Sequence, residues 1–209
     1  GLLLYPKEAS YTRIVLQQLL PTDVTIRVAT ADDLDVLEGM EEHWGIECLK
    51  ASRTALAERL AHHPGGQFVA ERGGEVVGAM YTQRVASAEV LLTARRATEL
   101  ELHVPRAPVA QLLGVVTKPD SNVGDALRNH TLLAARLDAS VERACGVTRC
   151  RAHDPSDARP YDRYVAEAAT SDPGLFFHTG KFEHASASLR VGTGWRARQV
   201  GRGWRGRRG

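Results

Sequence analysis

Cysteine is scarce in this chain of 209 residues, and no apolar run reaches the length of a membrane span. The three cysteines, Cys48, Cys145 and Cys150, follow no C-x-x-C spacing, and the eight histidines show no metal-ligand spacing. These absences argue against a disulfide framework, a zinc site and a membrane partner. We therefore expect no metal, and reduced thiols in a cytoplasmic setting. The start at Gly1, without an initiator Met or a signal-peptide pattern, predicts a segment of a longer polypeptide or a processed chain.

Acidic residues are absent from the C-terminal end. Seven of the 27 basic residues lie from Arg190 onward, so the rest of the chain carries 20 basic and 25 acidic residues, or a net charge of −5. Its 43% hydrophobic and 25% charged composition suits one globular domain. Residues 197–209 are rich in Arg and Gly with too few aliphatic residues to pack, so we expect a disordered tail. Nucleic acid is not expected as a partner.

The segment 109–128, VAQLLGVVTKPDSNVGDALR, joins a strand to a helix through a short polar loop. Its first part has strand composition, and apolar residues recur at helical spacing after the loop. The start of a helix carries N–H groups without intrahelical partners and the positive end of the helix dipole, which together suit a pyrophosphate. The segment therefore predicts an anion cradle. An ordinary strand-to-helix turn is the alternative.

Further strands and helices flank this junction. Strands are expected at residues 24–28, 67–70, 76–83 and 147–151, with an extended piece from residue 176. One helix is expected to begin at a capping box formed by Thr30 and Asp33, and a second helix is expected to end near Pro64. Further helical segments are expected in part of 87–108 and over 161–169. The Arg72-Gly73-Gly74-Glu75 turn predicts a hairpin. This order indicates an α+β fold with a mostly antiparallel sheet that splits after the strand at 109, in a domain of residues 24–196 behind a lead-in or linker of residues 1–23.

The strand and helix order, with the loop SNVGDALR after the central strand, resembles the GNAT superfamily of acyl-CoA-dependent enzymes. Pro119 and Asn122 stand where its pyrophosphate loop has Arg or Gln and Gly, but Asn tolerates the left-handed backbone that such a loop needs. A closer resemblance spans residues 24–196. Its motifs occur in order as TQRV at 82–85, LHVP at 102–105, QLLGV at 111–115, GDALR at 124–128, VTRC at 147–150 and FFHTG at 176–180. Together they resemble the GNAT-like domains in loading modules of modular polyketide synthases.

The resemblance implies a GNAT fold, a substrate class and partners. Such domains decarboxylate a malonyl, methylmalonyl or dimethylmalonyl thioester to make a polyketide starter unit. The thioester is carried by coenzyme A or by the phosphopantetheine of an acyl carrier protein, so acyl-CoA, that carrier protein and neighbouring synthase domains are the expected partners. Acyl transfer from CoA to the carrier protein is the competing activity. The residues expected to line the CoA cleft are Val115, Val116, Asn122, Val123 and Gly124.

The resemblance also implies four catalytic residues. Thr148 in VTRC and His178 in FFHTG match donors that would stabilise the enolate left by decarboxylation. Trp44 in EEHWGIECLKAS would exclude water, and Arg196 in GWRA would orient the departing carboxylate. His184 competes with His178 for its assignment. Without the resemblance, these four would be a strand residue, a carbonyl-bonded histidine, a core tryptophan and a solvated arginine.

Two other functions remain open from the residues alone. An amine acetyltransferase needs an acid, for which Tyr161 and Tyr164 are candidates, and a base. The candidate bases are Glu41, Glu42 and Glu47. A noncatalytic module that binds acyl-CoA or a carrier protein is the third possibility.

Overall fold

A seven-stranded sheet organises the protein in a computed structural model that describes residues 2–5, 23–44, 50–93 and 100–147 and positions 154, 159, 160, 163, 164, 167, 189 and 190. The strands are β1 (Leu2–Tyr5), β2 (Val24–Val28), β3 (Phe68–Arg72), β4 (Glu75–Val85), β5 (Val109–Thr117), β6 (Arg143–Val147) and β7 (Leu189–Arg190). The helices are α1 (Leu34–Glu41), α2 (Arg53–His62), α3 (Val90–Thr93) and α4 (Gly124–Leu137). Short 3-10 turns cover Ala31–Asp33, Glu42–Trp44, Pro64–Gly66 and Leu100–Leu102.

The sheet opens between its central strand, β5, and the neighbouring β6. Its order is β2-β3-β4-β5-β6-β1-β7, and all neighbours pair antiparallel except β5 and β6. Parallel pairing of β5 and β6 runs only from Val109 opposite Arg143 to Leu112 opposite Gly146. Beyond Leu112, β5 continues to Thr117 without a strand on that side among the described residues. This confirms the predicted α+β fold with a sheet that splits after the central strand.

A β-bulge lies where the split begins. Tyr81 of β4 pairs with Gly114, but the next residue, Thr82, pairs with Leu112, so Leu113 is an extra residue in β5. A bulge bends its strand and increases the local twist. The bend in β5 and the end of its pairing with β6 therefore coincide.

The buried side chain of Arg84 stabilises the end of the sheet at which β5 and β6 are still paired. From β4, its Nε donates to the Ala107 carbonyl at 2.6 Å, just before β5 begins. Its Nη1 pairs with Asp138 at 2.9 Å and its Nη2 donates to the Ser140 carbonyl at 3.0 Å, both in the connection from α4 to β6. One guanidinium therefore joins three segments that must meet for β5 and β6 to pair.

Each face of the sheet carries helices. The helix α4 covers one face, where Leu127 and Leu132 join an apolar cluster with Phe68 and Met80. The helices α1 and α2 cover the other face, in a cluster whose buried members are Ala29, Leu37, Met40, Leu56, Leu60, Val69, Val76, Ala79, Tyr81 and Val116. None of the described helices is long and apolar enough to cross a membrane.

Two local predictions are confirmed. The Thr30 N–H donates to Asp33 Oδ2 at 2.7 Å at the predicted capping box. The Arg27 guanidinium, bonded to both Asp33 oxygens, lowers the pKa of that carboxyl below its usual range. In the hairpin between β3 and β4, Gly73 and Gly74 have φ angles of 60° and 85°, which matches the left-handed two-residue turn that favours glycine.

Two strands differ from the sequence predictions. Leu2–Tyr5, within the segment assigned to the lead-in, forms β1 and pairs with β6, although no strand was predicted there. The strand predicted at 147–151 begins earlier, as Arg143–Val147, because the N–H groups of Glu142 and Arg143 donate to the Pro108 carbonyl at 2.8 and 3.2 Å and set its register against β5. Of the predicted helix at 161–169, positions 163, 164 and 167 are helical and the others lie outside the described residues. The extended piece from 176 and the tail at 197–209 also lie outside them.

We predict that Arg84→Met destabilises the protein strongly. The substitution keeps an apolar stem but leaves the carbonyls of Ala107 and Ser140 without their donor, and each buried acceptor left unsatisfied costs about 1–3 kcal/mol. Urea denaturation measures the effect. Arg53→Met is the control, because Arg53 makes exposed ion pairs with Asp35 and Glu38. Equal unfolding midpoints for the two variants would contradict the role of Arg84.

Candidate active site

The loop between β5 and α4 has the backbone conformation of an anion cradle. Asp120 and Asn122 both adopt positive φ angles, of 57° and 54°. Left-handed residues in a turn bring successive N–H groups to one side and form a concave nest for an anion. Asn122 therefore has the left-handed backbone that such a loop needs and that asparagine tolerates.

The start of α4 adds to this cradle. The first intrahelical bond runs from the Leu127 N–H to the Val123 carbonyl at 2.9 Å, so the N–H groups of residues 124–126 stand ahead of it at the positive end of the helix dipole. The loop is held in place by its own bonds. Ser121 Oγ donates to the Lys118 carbonyl at 2.8 Å, and Arg72 Nη1 donates to the Ser121 carbonyl at 3.1 Å.

Two glycines set the space around the cradle. At Gly78 of β4, a Cβ atom would lie 2.7 Å from Val123 Cγ2 and 2.9 Å from Leu127 Cδ1, so only glycine lets α4 approach the sheet this closely. At Gly124, the nearest atom to an added Cβ would be Thr117 Cγ2 at 3.8 Å. The first glycine therefore positions the loop, and the second leaves open space beside it.

Val115 and Val116 point to opposite faces of the free half of β5. Val115 is half-buried against the cluster under α4, whereas Val116 is buried in the cluster under α1 and α2. Their side chains do not share one pocket. What they have in common is a length of β5 backbone that faces the split.

Trp44 lies at the point where the sheet opens. An added Cβ at Gly114 would be 3.0 Å from Trp44 Cζ2 and 3.2 Å from its Cη2, so the indole packs directly on the Gly114 backbone. Gly114 follows the bulged Leu113. The structure therefore brings one predicted catalytic residue to the split, and it adds Gly114, which the sequence analysis did not single out for function.

A buried polar cluster stands beside Trp44. Glu41 is 2% exposed, and its Oε2 accepts the Ala51 N–H at 2.7 Å. The Tyr81 hydroxyl and the Trp44 indole N–H face the same carboxylate and favour its charged form, but burial dominates and raises the pKa of Glu41 above its usual range. Burial also raises the pKa of Tyr81, whose ring lies 5.1 Å beneath the Arg59 guanidinium. Tyr81 and Arg59 carried no signal in the sequence beyond their side-chain types.

The remaining candidates are distributed as follows. Glu42 is exposed and pairs with Lys50 at 2.7 Å. Tyr164 is buried, with the Arg159 guanidinium 5.2 Å above its ring. The candidates that lie outside the described residues are Glu47, Thr148, Tyr161, His178, His184 and Arg196. Thr148 directly follows Val147, the last residue of β6.

Comparisons with known proteins give two informative similarities. The chain matches no model of a protein family and no curated protein. The solved structure of GphF GNAT-like decarboxylase in complex with isobutyryl-CoA is 35% identical, with a TM-score of 0.69, over 75% of this chain and 84% of that one. The loading GNATL domain of CurA from Lyngbya majuscula is 28% identical, with a TM-score of 0.68, over 76% of this chain and 83% of that one.

The identity and coverage of the GphF match decide the family. The chain belongs to the GNAT-like decarboxylases. The predicted GNAT fold and the predicted family of polyketide synthase loading domains are confirmed, and this GNAT-like decarboxylase is an enzyme of GNAT type.

This GNAT-like decarboxylase has two chemically different surfaces beside the free half of β5. The β5–α4 loop and the start of α4 offer N–H groups to an anion, and the split near Gly114 offers an apolar wall in Trp44. The described residues contain no group of three His, Cys, Asp or Glu side chains that could hold a metal ion.

We predict that Gly114→Ala displaces the Trp44 ring. A Cβ atom 3.0 Å from Trp44 Cζ2 is too close, and such overpacking costs about 1–3 kcal/mol. Fluorescence of a Trp195→Phe/Trp204→Phe background, in which Trp44 is the sole tryptophan, reports the displacement as a changed emission maximum. Gly39→Ala is the control, because nothing lies within 4 Å of an added Cβ in that helix. An unchanged Trp44 emission in Gly114→Ala would show that the ring is not packed on this strand.

Proposed function

We propose that this enzyme decarboxylates a malonyl, methylmalonyl or dimethylmalonyl thioester, carried by CoA or by the phosphopantetheine of an acyl carrier protein, and so makes a polyketide starter unit. The observation that carries the proposal is the 35% identity to GphF GNAT-like decarboxylase over three quarters of the chain. The carrier protein and neighbouring synthase domains are the partners that such a loading reaction requires.

The β5–α4 cradle supports CoA binding in a definite orientation. The pyrophosphate is assigned to the N–H groups of residues 122–124, where left-handed backbone and the helix start both favour an anion. The pantetheine arm then follows the free half of β5, beside the backbone of Val115 and Val116, toward the split. The acyl group ends near Trp44 and Gly114. The GphF structure was determined with isobutyryl-CoA, a thioester of the class this cleft would take.

The reaction needs stabilisation of an enolate more than it needs a base. The bond between the α-carbon and the carboxylate breaks, CO2 leaves, and the electron pair moves onto the thioester oxygen. Hydrogen-bond donors aimed at that oxygen lower the barrier, and loss of one costs about 2.7–4 kcal/mol. We assign Thr148 and His178 this role, because the family motifs VTRC and FFHTG contain them.

The other assigned residues act before and after the bond breaks. His178 is suited to return a proton to the α-carbon, since histidine titrates near neutral pH. Trp44 presents an apolar wall that excludes water from the reacting carboxylate. Arg196 is assigned to orient that carboxylate by a charge-assisted hydrogen bond.

The amine acetyltransferase alternative finds less support in the described residues. Glu41 is buried and already accepts the Ala51 N–H, and Glu42 is exposed and paired with Lys50. Neither presents a carboxylate to an incoming amine in the split. Acyl transfer to a carrier-protein thiol remains the activity that the assay below must separate from decarboxylation.

We expect the purified protein to release CO2 from at least one of malonyl-CoA, methylmalonyl-CoA and dimethylmalonyl-CoA, as followed by mass spectrometry. His178→Ala and Thr148→Val should lower kcat by about 100-fold or more with a much smaller change in CoA affinity, because each donor matters most as charge develops. Wild-type CO2 release by both variants would remove these residues from the mechanism. A wild-type protein inert toward all three thioesters but able to acetylate an amine or a carrier thiol would overturn the proposal.

We also expect Gly124→Val to weaken CoA binding while the fold is retained. An added side chain meets only Thr117 Cγ2 at 3.8 Å but extends into the space assigned to the pyrophosphate. Gly65→Val is the matched control, since an added Cβ there has nothing within 4 Å and Gly65 lies in the turn after α2. Calorimetric titration with CoA measures both. Equal affinities for the two folded variants would place the pyrophosphate elsewhere.

A further inference from the structure

The buried carboxylate of Glu41 links the two ends of the segment that carries Trp44. Glu41 is the last residue of α1, and its Oε2 accepts the N–H of Ala51 at 2.7 Å. Ala51 stands just before Ser52, the residue that caps α2 by accepting the Ala55 N–H at 3.2 Å. Trp44 lies between these ends in sequence. Glu41 therefore joins the end of one helix to the start of the next around Trp44.

Glu41 also lies beside the side chains of Tyr81 and Trp44, at the place where the sheet splits. The Tyr81 hydroxyl and the Trp44 indole N–H lie near enough to the carboxylate to favour its charged form. Neither makes a well-formed hydrogen bond: Glu41 Oε1, Tyr81 Oη and Trp44 Nε1 are all buried without a hydrogen-bond partner. Buried polar atoms of this kind are costly, so their convergence calls for an explanation.

Tyr81 and Trp44 are both neighbours of the same residue of β5, Gly114. Tyr81 is paired with Gly114 across the strands, and the Trp44 ring rests on Gly114. A substitution of Glu41 would therefore alter the packing of side chains on β5 close to the point where its pairing with β6 ends. The carboxylate itself is 2% exposed, so it does not face a substrate.

A cation in the cluster offsets part of the effect of burial on the Glu41 carboxylate. Arg59 of α2 lies over the Tyr81 ring at 5.1 Å, and its positive charge favours the ionised form of Glu41. A buried carboxylate with a cation nearby attracts N–H and O–H donors more strongly than a neutral acceptor does. The Trp44 indole N–H is one of the two nearby donors that favour the charged form of Glu41.

We propose that Glu41 is a positioning residue that holds the Trp44 indole over Gly114 and thereby sets the size of the acyl end of the cleft. The inference rests on the proposed function, because a malonyl-type thioester supplies the acyl group that the indole would confine. Releasing the indole enlarges that space. Discrimination among malonyl, methylmalonyl and dimethylmalonyl thioesters should then decrease.

The first test measures Trp44 without substrate. In the Trp195→Phe/Trp204→Phe background, Glu41→Ala should shift the Trp44 emission to longer wavelength and make it easier to quench with acrylamide. Glu41→Gln should restore part of the wild-type signal, because its carbonyl oxygen can still accept the Ala51 N–H. Glu38→Ala is the matched control: Glu38 is an exposed carboxylate of α1, paired with Arg53 at 2.8 Å. An unchanged Trp44 signal in a folded Glu41→Ala protein would overturn the proposal.

The second test is a double-mutant cycle on kcat/KM for CO2 release from the three thioesters. Glu41→Ala alone should lower kcat/KM for the preferred thioester about 10-fold to 100-fold, as misplacement of a positioning group does. The ratio of kcat/KM for the preferred thioester to that for each of the other two should also decrease. The same change in a Trp44→Phe background should have little further effect. Additive effects would show that Glu41 does not act through Trp44. If Glu41→Ala does not fold, Glu41→Gln takes its place in both tests with a smaller expected effect, and a Trp44 emission and a kcat/KM identical to those of the wild type would then overturn the proposal.

The two tests separate failure of this inference from failure of the proposed function. A changed Trp44 signal in Glu41→Ala, with no CO2 released by the wild-type protein, would support the positioning role and refute the decarboxylase assignment. CO2 release by the wild type, with an unchanged Trp44 signal in Glu41→Ala, would refute only the positioning role.

Discussion

The short parallel pairing of β5 and β6 is the constraint on which the rest of the site depends. It ends at Leu112 opposite Gly146, and the bulge at Leu113 bends β5 at the same place. The closed end is fastened by the buried Arg84 guanidinium, which joins the start of β5 to the connection before β6. Because one end is held and the other is not, the sheet opens into a cleft without losing its continuous core.

Close approaches at two glycines fix the ends of that cleft. Gly78 lets α4 lie against β4, which holds the anion cradle at one end. Gly114 lets the Trp44 ring lie on β5, which closes the other end with an apolar surface. An alanine would be too large at either position. The absence of a side chain is therefore a packing requirement at both positions.

The same arrangement explains how an acyl-CoA fold could serve decarboxylation. A transferase must hold a second substrate and a base, whereas loss of CO2 requires donors at the thioester oxygen and a site that excludes water. In the described part of the cleft, Glu41 is buried within a polar cluster and Glu42 is paired at the surface. Among the described residues, an aromatic ring packed on a glycine lies at the split, and neither Glu41 nor Glu42 turns a carboxylate toward it.

The sequence by itself determined the features that depend on a few neighbouring residues. The capping box at Thr30, the hairpin at Gly73 and Gly74, and the left-handed Asn122 follow from local backbone preferences, and the ordered motifs identified the family. Only the tertiary structure decided the contacts between distant segments. It brought Gly78 against Val123, placed Trp44 on Gly114, and added β1 beside β6, where no strand was predicted. Local propensities are set within a turn or two of chain, whereas a strand's last pairing residue and a glycine's close neighbour depend on how whole elements pack.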